Sequence, residues 1–422
     1  MRRFGRLFKE GSWIVCGQLA SVVGSLLLVR VLTEYLDTVQ YGQLALGLTV
    51  AGLVNQVVMG GITNGITRYY SIANEKNDLI NYVRASIRIM GYATVTIVAI
   101  AFVLVIGLIS LDYFEWLSLA FAALVFSVIS GYNSALNGIQ NAARQRSVVA
   151  FHGGLDAWLK ILFAMGMVAW IGASSTNVVI GYAFSSLLIT CSQFIFLRRL
   201  IVPYRNDHAS INWLSQIWAY SSPFCAWGFF TWVHLASDKW ALQIYATTQE
   251  VGLYAVLYQL GYTPIVLLTG VFCSFLGPIL FQKIGNATDE TRKSLVHSIT
   301  WYIALVGLVM TGFGFVLTFV FHKSIFQLLV AQNFHNISYL LPWMISAGGL
   351  FAVGQILSLK LMSEMQTVSM FKVKFSTAII GTSLNLYFAS SFGICGVVIS
   401  INLFSFLYLM WLIILTKNNC YD

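Results

Sequence analysis

Long apolar runs alternate with short polar stretches along the whole chain. A transmembrane helix needs about 20 mostly apolar residues, and the sequence holds twelve runs that approach this length. The pattern therefore predicts an all-α polytopic membrane protein with about twelve transmembrane helices. The predicted spans lie near residues 13–32, 42–66, 87–108, 117–136, 148–171, 178–196, 218–235, 254–280, 299–321, 340–361, 373–388 and 394–415.

The composition supports a membrane protein and excludes two other classes. Of the 422 residues, 58% are hydrophobic and only 9% are charged, whereas a soluble domain has about 25% charged residues. Disordered chains combine low hydrophobicity with high charge, which is the opposite composition. The basic N-terminus resembles the start of a signal peptide, but the apolar run that follows is too long, so we expect an uncleaved first span.

The distribution of cations predicts the orientation of the chain in the membrane. The net charge is +9, but Lys and Arg are spread thinly over the ends of apolar runs, which argues against nucleic acid as a partner. Cytoplasmic loops of membrane proteins are enriched in Lys and Arg. With twelve spans and a cytoplasmic N-terminus, 20 of the 24 cations fall on the cytoplasmic side. We therefore expect a multi-pass protein with both termini in the cytoplasm.

A polar break between Arg198 and Trp213 divides the spans into two sets of six. The predicted N-terminal lobe, cytoplasmic linker and C-terminal lobe are residues 1–200, 201–213 and 214–422. Because six is even, both halves enter the membrane from the same side. An internal repeat would then be parallel, with a pseudo-two-fold axis along the membrane normal. A faint match between the sequences around Tyr41-Gly42 and Val251-Gly252 fits such a repeat.

The motifs of enzymes and ATP-driven pumps are absent from the sequence. It holds no Walker A, GxSxG, HExxH or kinase signature. Its cysteines and histidines show no metal-binding spacing. The predicted outer loops are too short for the folded domain that membrane glycosyltransferases, polymerases and ligases generally carry. We therefore expect no catalytic residues, no metal and no cofactor, and we favour a transporter driven by a proton or sodium gradient over an enzyme.

Charged residues inside a span mark candidate transport chemistry, because a charge at the bilayer centre costs about 2.5–3.5 kcal/mol. His152, Asp156 and Lys160 lie at i, i+4 and i+8 in the fifth predicted span, so they share one helix face. This face either lines a watery cavity or holds a neutral pair that locks two helices together. The predicted spans leave Asp156 as the only carboxylate well inside a span, with Asp238 at an outer edge. Asp156 is therefore the candidate for ion coupling.

Two further stripes of side chains share helix faces. Asn133 and Asn137 lie at the end of the fourth predicted span, where they form either the hydrophilic wall of a cavity or part of a helix that emerges into the cytoplasm. Tyr258 and Tyr262 continue a stripe that begins at Tyr254 in the eighth span. Tyrosines at this spacing can stack on sugar rings. An interfacial belt or helix packing nevertheless explains any single one of them better.

Several short motifs resemble those of a known transporter family. In the first half they are Leu26-x3-Arg30-x-Leu32-Thr33-x2-Leu36-x4-Tyr41-Gly42 and Arg68-Tyr69-Tyr70. In the second half they are Glu250-Val251-Gly252-x-Tyr254, Asn385-Leu386-Tyr387-Phe388 and Gly393-Ile394-Cys395-Gly396-Val397-Val398-Ile399-Ser400. Together with the length and the span count, they make the chain similar to polysaccharide flippases. More narrowly, it resembles O-antigen (Wzx-type) flippases of the multidrug/oligosaccharidyl-lipid/polysaccharide exporter superfamily.

The resemblance implies two six-helix lobes around a central cavity, in the inner membrane of a bacterium. Members of the O-antigen flippase family move an undecaprenyl-pyrophosphate-linked oligosaccharide from the inner to the outer leaflet by alternating access. Their partners are this lipid-linked oligosaccharide, membrane lipids, and the glycan polymerase and chain-length machinery. A cationic cavity suits a pyrophosphate, and Arg30, Arg68 and Lys160 are the positions that would supply it. Unlike related drug exporters, however, this chain has no deep acidic residue in its first span.

Arg30 has two competing interpretations. At the membrane interface it would reach toward lipid head groups, and Lys would serve equally well. In a cavity it would hold a phosphate through two parallel hydrogen bonds, a geometry that Lys cannot copy.

The charge of the cavity also separates two candidate functions. A net positive cavity favours the lipid-linked pyrophosphate, and a net negative cavity favours a multidrug or small-solute antiporter.

Overall fold

The computed structural model describes residues 2–198, 211–284, 290–364 and 367–418. Within these ranges every regular element is helical. The α-helices of the described residues are α1 (Arg2–Tyr35), α2 (Thr38–Val54), α3 (Gly60–Glu75), α4 (Leu79–Ser110), α5 (Leu117–Ala142), α6 (Arg146–Ile171), α7 (Ser175–Arg198), α8 (Trp213–Tyr245), α9 (Thr248–Ile284), α10 (Glu290–Leu329), α11 (Leu341–Ser363) and α12 (Thr367–Asn418). A π-helical turn at Asn55–Met59 joins α2 to α3 without a break.

Ten helical segments of the described chain are long and apolar enough to cross a membrane. Their surfaces carry large apolar side chains that remain exposed. On α4 and α10, for example, Val103 and Leu328 are 70% and 73% exposed. Extended apolar surface of this kind is typical of a protein solvated by lipid. The prediction of an all-α polytopic membrane protein is therefore confirmed.

The count of twelve spans stays a prediction. The seventh predicted span lies in α8, which is 33 residues long but is not among the ten apolar helices. The last two predicted spans appear as one segment, Phe375–Lys417. This segment bends at Gly393, whose φ of 54° and ψ of −134° are non-helical. Glu250 Oε2 accepts a hydrogen bond from the Ile394 N–H at 3.1 Å, so a carboxylate caps the helix that follows the bend.

The helices form two compact units. These are Met1–Gly24 with Gln43–Val233, and Ser25–Gly42 with His234–Asp422. Helices α1 and α8 each contribute residues to both units, so neither unit is one unbroken stretch of sequence. The predicted lobes at residues 1–200 and 214–422 stay a prediction. The predicted linker lies outside the described residues up to position 210.

The first unit is built on α5 and α7, which pack along each other. Its apolar core includes Met59, Ile66 and Tyr82, which are almost completely buried. The Tyr82 hydroxyl donates a hydrogen bond to the Ile66 carbonyl oxygen at 2.5 Å. Trp213, the first residue of α8, lies in the same core, and its Nε1 donates to Asp78 Oδ2 at 2.7 Å. Both aromatic side chains thus bury their rings and satisfy their polar atoms.

The second unit centres on α11, which packs against α9, α10 and α12. Its main apolar cluster includes Val353, Leu357, Leu361, Phe404 and Tyr408. The stretch Ser25–Gly42 of α1 and α2 also belongs here. The Ala331 N–H donates a hydrogen bond to Thr33 Oγ1 at 3.1 Å. The rings of Tyr41 and Phe334 meet edge to face, with centroids 5.7 Å apart. The end of the first helix is therefore packed within the second unit.

The junction between α1 and α2 has the same geometry as the junction between α8 and α9. Each first helix ends three positions before the next begins, and the two junctions are 210 positions apart. At the first, Asp37 Oδ1 accepts a hydrogen bond from the Gln40 N–H at 2.7 Å. At the second, Thr247 Oγ1 accepts one from the Glu250 N–H at 3.2 Å. Both residues cap the helix that follows, so the two junctions are locally alike. The parallel repeat with an axis along the membrane normal stays a prediction.

Candidate functional site

The charged pair predicted inside the fifth span lies on α6 in the first unit. Lys160 Nζ and Asp156 Oδ2 are 2.6 Å apart, and the side chains are 25% and 19% exposed. Ser185 of α7 donates a hydrogen bond to the other carboxylate oxygen, Oδ1, at 3.1 Å. The Lys160 ammonium group also lies 5.8 Å from the ring of Phe126 and 6.0 Å from that of Tyr182. Both charges are thus compensated by neighbours on three helices.

His152, on the same face of α6, is completely buried. One ring nitrogen lies 2.8 Å from the Val148 carbonyl oxygen, and the other lies 3.0 Å from Ser192 Oγ on α7. His152 and Asp156 therefore both connect α6 to α7. These contacts correspond to the interpretation in which the stripe locks two helices together. A role of Asp156 and Lys160 in transport stays a prediction.

The two predicted asparagines belong to a buried amide cluster between α5 and α7. Asn137 Nδ2 donates to Asn133 Oδ1 at 3.2 Å, and Gln193 Nε2 donates to Asn137 Oδ1 at 2.9 Å. Gln140 Nε2 donates to the Gln193 carbonyl oxygen at 3.3 Å. Among the described residues, the buried Oε1 atoms of Gln140 and Gln193 accept no hydrogen bond. The cluster is therefore polar and largely buried, with Asn137 half-buried, and it contains two buried oxygen atoms that accept no hydrogen bond from the described residues.

The predicted cations are distributed over the two units. Arg30 lies on α1 in the stretch assigned to the second unit, and its Nη2 is 3.2 Å from Glu34 Oε2. The Arg30 and Glu34 side chains are 38% and 56% exposed. Arg68, on α3, is exposed and belongs to the first unit with Lys160. A common phosphate site for Arg30, Arg68 and Lys160 stays a prediction.

A second carboxylate, Asp238, is more deeply buried than Asp156. It lies inside α8, seven residues before the helix ends, and is only 4% exposed. The Tyr254 hydroxyl donates a hydrogen bond to Asp238 Oδ2 at 2.8 Å. Lys239 Nζ lies 3.3 Å from both carboxylate oxygens, and the Lys239 backbone N–H donates to Oδ1 at 2.7 Å. The expectation that Asp156 is the only carboxylate well inside a span stays a prediction, because α8 is not among the ten described helices that are long and apolar enough to cross a membrane.

Helix α8 extends beyond the predicted end of the seventh span. The sequence pattern ends the seventh span near residue 235, where polar residues begin, but the helix continues to Tyr245. Asp238 then lies within the helix and packs in the second unit. Lys239 and Tyr254 contact the Asp238 carboxylate in the folded protein. A search for apolar runs in the sequence cannot detect these contacts. The signal available in the sequence is the adjacent charged residues Asp238 and Lys239, because charges next to apolar runs of a membrane protein are costly unless they neutralise each other.

The tyrosine stripe of α9 packs around this second charged pair. Lys239 Nζ lies 4.3 Å from the centre of the Tyr258 ring and 5.6 Å from that of Tyr254. The rings of Tyr258 and Tyr262 are stacked, with centroids 4.8 Å apart. Tyr254 and Tyr262 are almost completely buried. These contacts correspond to the packing interpretation of the stripe, and sugar binding by Tyr258 and Tyr262 stays a prediction.

A small cavity lies beside Asp238. Its volume is about 20 Å³ and it is bounded by His234, Asp238, Tyr258, Tyr262 and Asn385, with apolar neighbours. Asn385 Nδ2 donates a hydrogen bond to Ser237 Oγ at 2.8 Å. Neither His234 Nδ1 nor Asn385 Oδ1 has a hydrogen-bond partner among the described residues. A volume of about 10–15 Å³ suffices for one water, so the cavity has room for a water or a small cation next to a carboxylate.

The comparisons with known proteins identify a family from the sequence and a fold from the structure. The sequence profile of the family described as polysaccharide biosynthesis protein matches residues 7–284. No curated protein sequence matches the chain. Among solved structures, the chain is similar to the lipid II flippase MurJ in an inward closed conformation. The identity is 11%, the TM-score is 0.70, and the match covers 97% of this chain and 87% of that one.

Two similar structures come from multidrug and related transporters. One is an inward-facing multidrug resistance MATE family transporter of the MOP superfamily, with 14% identity, a TM-score of 0.60 and 95% coverage of both chains. The other is a MOP superfamily transporter from Pyrococcus furiosus whose binding pocket is described as having reverse polarity. It has 13% identity, a TM-score of 0.58 and coverage of 97% and 96%.

These likenesses cover almost the whole chain and show that it has the fold of the MOP superfamily. The resemblance predicted from the short motifs is thereby confirmed at this level. The family match is a separate finding, since it rests on sequence and not on the fold. Because it extends over residues 7–284, well beyond half of the 422 residues, the chain belongs to the family of polysaccharide biosynthesis proteins.

Proposed function

We propose that the protein is a flippase for undecaprenyl-pyrophosphate-linked repeat units of O-antigen or a related surface polysaccharide. It moves these units from the inner to the outer leaflet of the bacterial inner membrane by alternating access. The single observation that carries this proposal is the family match over residues 7–284. A multi-pass membrane protein from a polysaccharide pathway, with the fold of transporters, is suited to moving a glycan across the bilayer.

The fold comparison supports transport rather than an enzymatic role. The similar structures are a lipid II flippase and multidrug transporters. A multidrug or small-solute antiporter of the same superfamily is the second candidate, and the MATE likeness is the observation that favours it. The family match favours the lipid-linked glycan, because it comes from the sequence and names polysaccharide biosynthesis.

We infer that transport is coupled to a proton or sodium gradient, and that Asp238 is the best carrier of the coupling ion. Asp238 borders a cavity of about 20 Å³ that also presents the unpartnered Nδ1 of His234 and Oδ1 of Asn385. A carboxylate, an amide oxygen and an imidazole nitrogen are ligands or acceptors for a small cation or a proton. Asp156 is the second candidate. Partners hold the oxygens of both carboxylates, Lys160 and Ser185 for Asp156 and Lys239 and Tyr254 for Asp238, so the preference for Asp238 rests on the cavity beside it.

The arrangement also suggests how ion binding would act on the helices. A cation at Asp238 would compete with the Lys239 ammonium group for the carboxylate. Lys239 already lies 4.3 Å from the Tyr258 ring, so its charge has an alternative partner there. Protonation of Asp238 would weaken the same ion pair and alter the hydrogen bond from Tyr254. In either case the contact between α8 and α9 inside the second unit would change.

A genetic experiment tests the proposed function. Deleting the gene should abolish surface polysaccharide and leave the lipid-linked repeat unit on the inner leaflet, and the intact chain should restore the surface polymer. Surface polysaccharide is measured by gel and the lipid-linked unit by mass spectrometry. Normal surface polysaccharide in the deletion strain, together with increased sensitivity to cationic drugs, would contradict the flippase and favour the antiporter.

A further inference from the structure

An apolar groove of about 540 Å³ opens on the surface of the first unit. Helix α5 provides its floor, where Ala135, Leu136 and Ile139 are buried. Helices α4 and α7 provide its sides, where Ile87 and Phe194 are 52% and 39% exposed. Its volume falls within the range of about 300–1,000 Å³ that is common for small-molecule sites. The groove is thus both deep and open to the surroundings of the helices.

The polar groups in the lining leave little for a polar ligand to bind. Ser86 Oγ donates to the Tyr82 carbonyl oxygen at 2.9 Å, and Thr190 Oγ1 donates to the Ser186 carbonyl oxygen at 2.7 Å. The Tyr132 hydroxyl lies 3.1 Å from Thr94 Oγ1, within hydrogen-bond distance. Each hydroxyl of the lining therefore has a partner in the protein. Along most of its length the groove presents only apolar surface, which suits a hydrocarbon chain.

One end of the groove is cationic. Arg198, the last residue of α7, belongs to the lining, and its guanidinium carbon lies 5.2 Å from the centre of the Phe194 ring. Arg198 is the charged residue of the lining, whereas Arg68, Arg84 and Arg88 follow the lining residues Ile66, Val83 and Ile87 in the sequence without lining the groove themselves. Among the described residues, no carboxylate forms an ion pair with Arg198. This end of the groove is suited to a phosphate head group.

We propose that this groove binds an anionic phospholipid of the cytoplasmic leaflet, with one acyl chain along α5 and the phosphate at Arg198. The charge arrangement favours an anionic head group, since basic pockets between transmembrane helices recognise such lipids. The choice of leaflet rests on the orientation predicted from the cations. The site lies within the first unit, and it does not depend on what the protein transports.

Cys191 provides a direct reporter for this site. It is a free, exposed cysteine in the groove lining, while Cys16 is a free, exposed cysteine on α1 that does not line it. The full chain is purified in a maltoside detergent, and phosphatidylglycerol or phosphatidylcholine is titrated into the micelles. Alkylation of Cys191 and Cys16 by an impermeant maleimide is then followed for each peptide by mass spectrometry. Cys16 is the internal control for general effects of the lipid.

Phosphatidylglycerol should slow the alkylation of Cys191 and leave Cys16 unchanged. Phosphatidylcholine should require about tenfold more lipid for the same protection, a ratio that corresponds to about 1.4 kcal/mol. Arg198→Gln should abolish this preference, and Arg198→Lys should keep part of it. Lys417→Gln, which removes one cation from the second unit, should keep all of it. The lysine variant serves as the second test if Arg198→Gln fails to fold.

Two results would overturn the proposal. Equal protection by both lipids would show that Arg198 does not select an anionic head group. Protection by undecaprenyl phosphate but not by phosphatidylglycerol would show that the groove receives the carrier lipid of the substrate. Neither result bears on whether the protein moves a lipid-linked glycan, so failure here is distinguishable from failure of the proposed function.

Discussion

Gly42 and Gly252 lie against each other at the start of α2 and α9. A Cβ on Gly42 would stand 3.0 Å from the Gly252 nitrogen, and a Cβ on Gly252 would stand 2.9 Å from the Gly42 nitrogen. Each Cβ would also overlap a carbonyl oxygen of the opposite helix, that of Thr248 or Thr38. The contact is reciprocal, so that two equivalent positions of the internal repeat meet through backbone alone. Only glycine allows this approach.

Replacing either glycine by alanine should therefore destabilise the protein. We expect Gly252→Ala to cost about 1–3 kcal/mol, the usual range for overpacking, because backbone and not a flexible side chain must move. Gly270→Ala is a matched control on the same helix, since a Cβ there meets nothing within 4 Å. It should be neutral or slightly stabilising. The thermal midpoint in detergent measures both effects, and equal midpoints for the two variants would contradict a tight contact.

Both turns that flank α5 offer a test of the orientation in the membrane. Asp112 and Arg144 are exposed non-glycine residues with φ of 60° and 59°, one before and one after the helix. The cation distribution predicts that Asp112 faces the outside and Arg144 the cytoplasm. A cysteine at position 112 should react with an impermeant thiol reagent on intact spheroplasts, and one at position 144 should react only after the membrane is opened. The reverse pattern would invalidate the predicted topology.

The Asp156–Lys160 pair should behave as a structural unit. Asp156→Asn alone leaves the Lys160 charge without its carboxylate and should lower the amount of folded protein, because breaking a buried pair is costly. Asp156→Asn combined with Lys160→Met removes both charges and should restore protein level and transport. Surface polysaccharide and membrane protein level are measured together. If the double variant is present at normal level but inactive, Asp156 takes part in transport itself.

Arg30 can be tested because its ion pair contributes little to stability. An exposed pair such as Arg30–Glu34 is worth about 0–1 kcal/mol. If Arg30 contacts the substrate phosphate, Arg30→Ala should abolish surface polysaccharide at normal protein level, and Arg30→Lys should restore it only in part. Glu34→Gln is the control, since it removes the ion pair and keeps the guanidinium group. Full activity of Arg30→Ala would exclude the phosphate role.

Asp238→Asn should uncouple transport from the ion gradient. The substitution keeps the shape of the side chain and one hydrogen-bond acceptor for Tyr254 but removes the charge that would bind a proton or sodium ion. Because Lys239 loses its carboxylate, the protein level should fall as for Asp156→Asn, and the folded protein that remains should lose the response of transport to an imposed gradient. Asp112→Asn removes an exposed carboxylate in a turn and should leave this response intact. An unchanged response in Asp238→Asn would assign coupling to another residue.

The sequence alone predicts the helical membrane fold because apolar runs of membrane length are a direct consequence of lipid solvation. It also predicts the i, i+4 contact of Asp156 with Lys160, since both residues belong to one helix. The Asp238 cluster could not be predicted in the same way. It depends on tertiary contacts of α8 with Tyr254 of the next helix, α9, and with Asn385 of α12, which is 148 positions from its partner Ser237. The Arg198 groove likewise requires four helices, α3, α4, α5 and α7, to be placed side by side.

The most direct test of the proposed function is transport by the purified chain in proteoliposomes. An undecaprenyl-pyrophosphate-linked oligosaccharide with a fluorophore on its sugar is incorporated into both leaflets, and an impermeant quencher is added outside. Without protein, only the outer-leaflet fraction should be quenched. With the chain present, the protected fraction should also become accessible, faster under an imposed proton or sodium gradient. A protected fraction that stays equal to that of protein-free vesicles, with or without a gradient, would contradict the flippase.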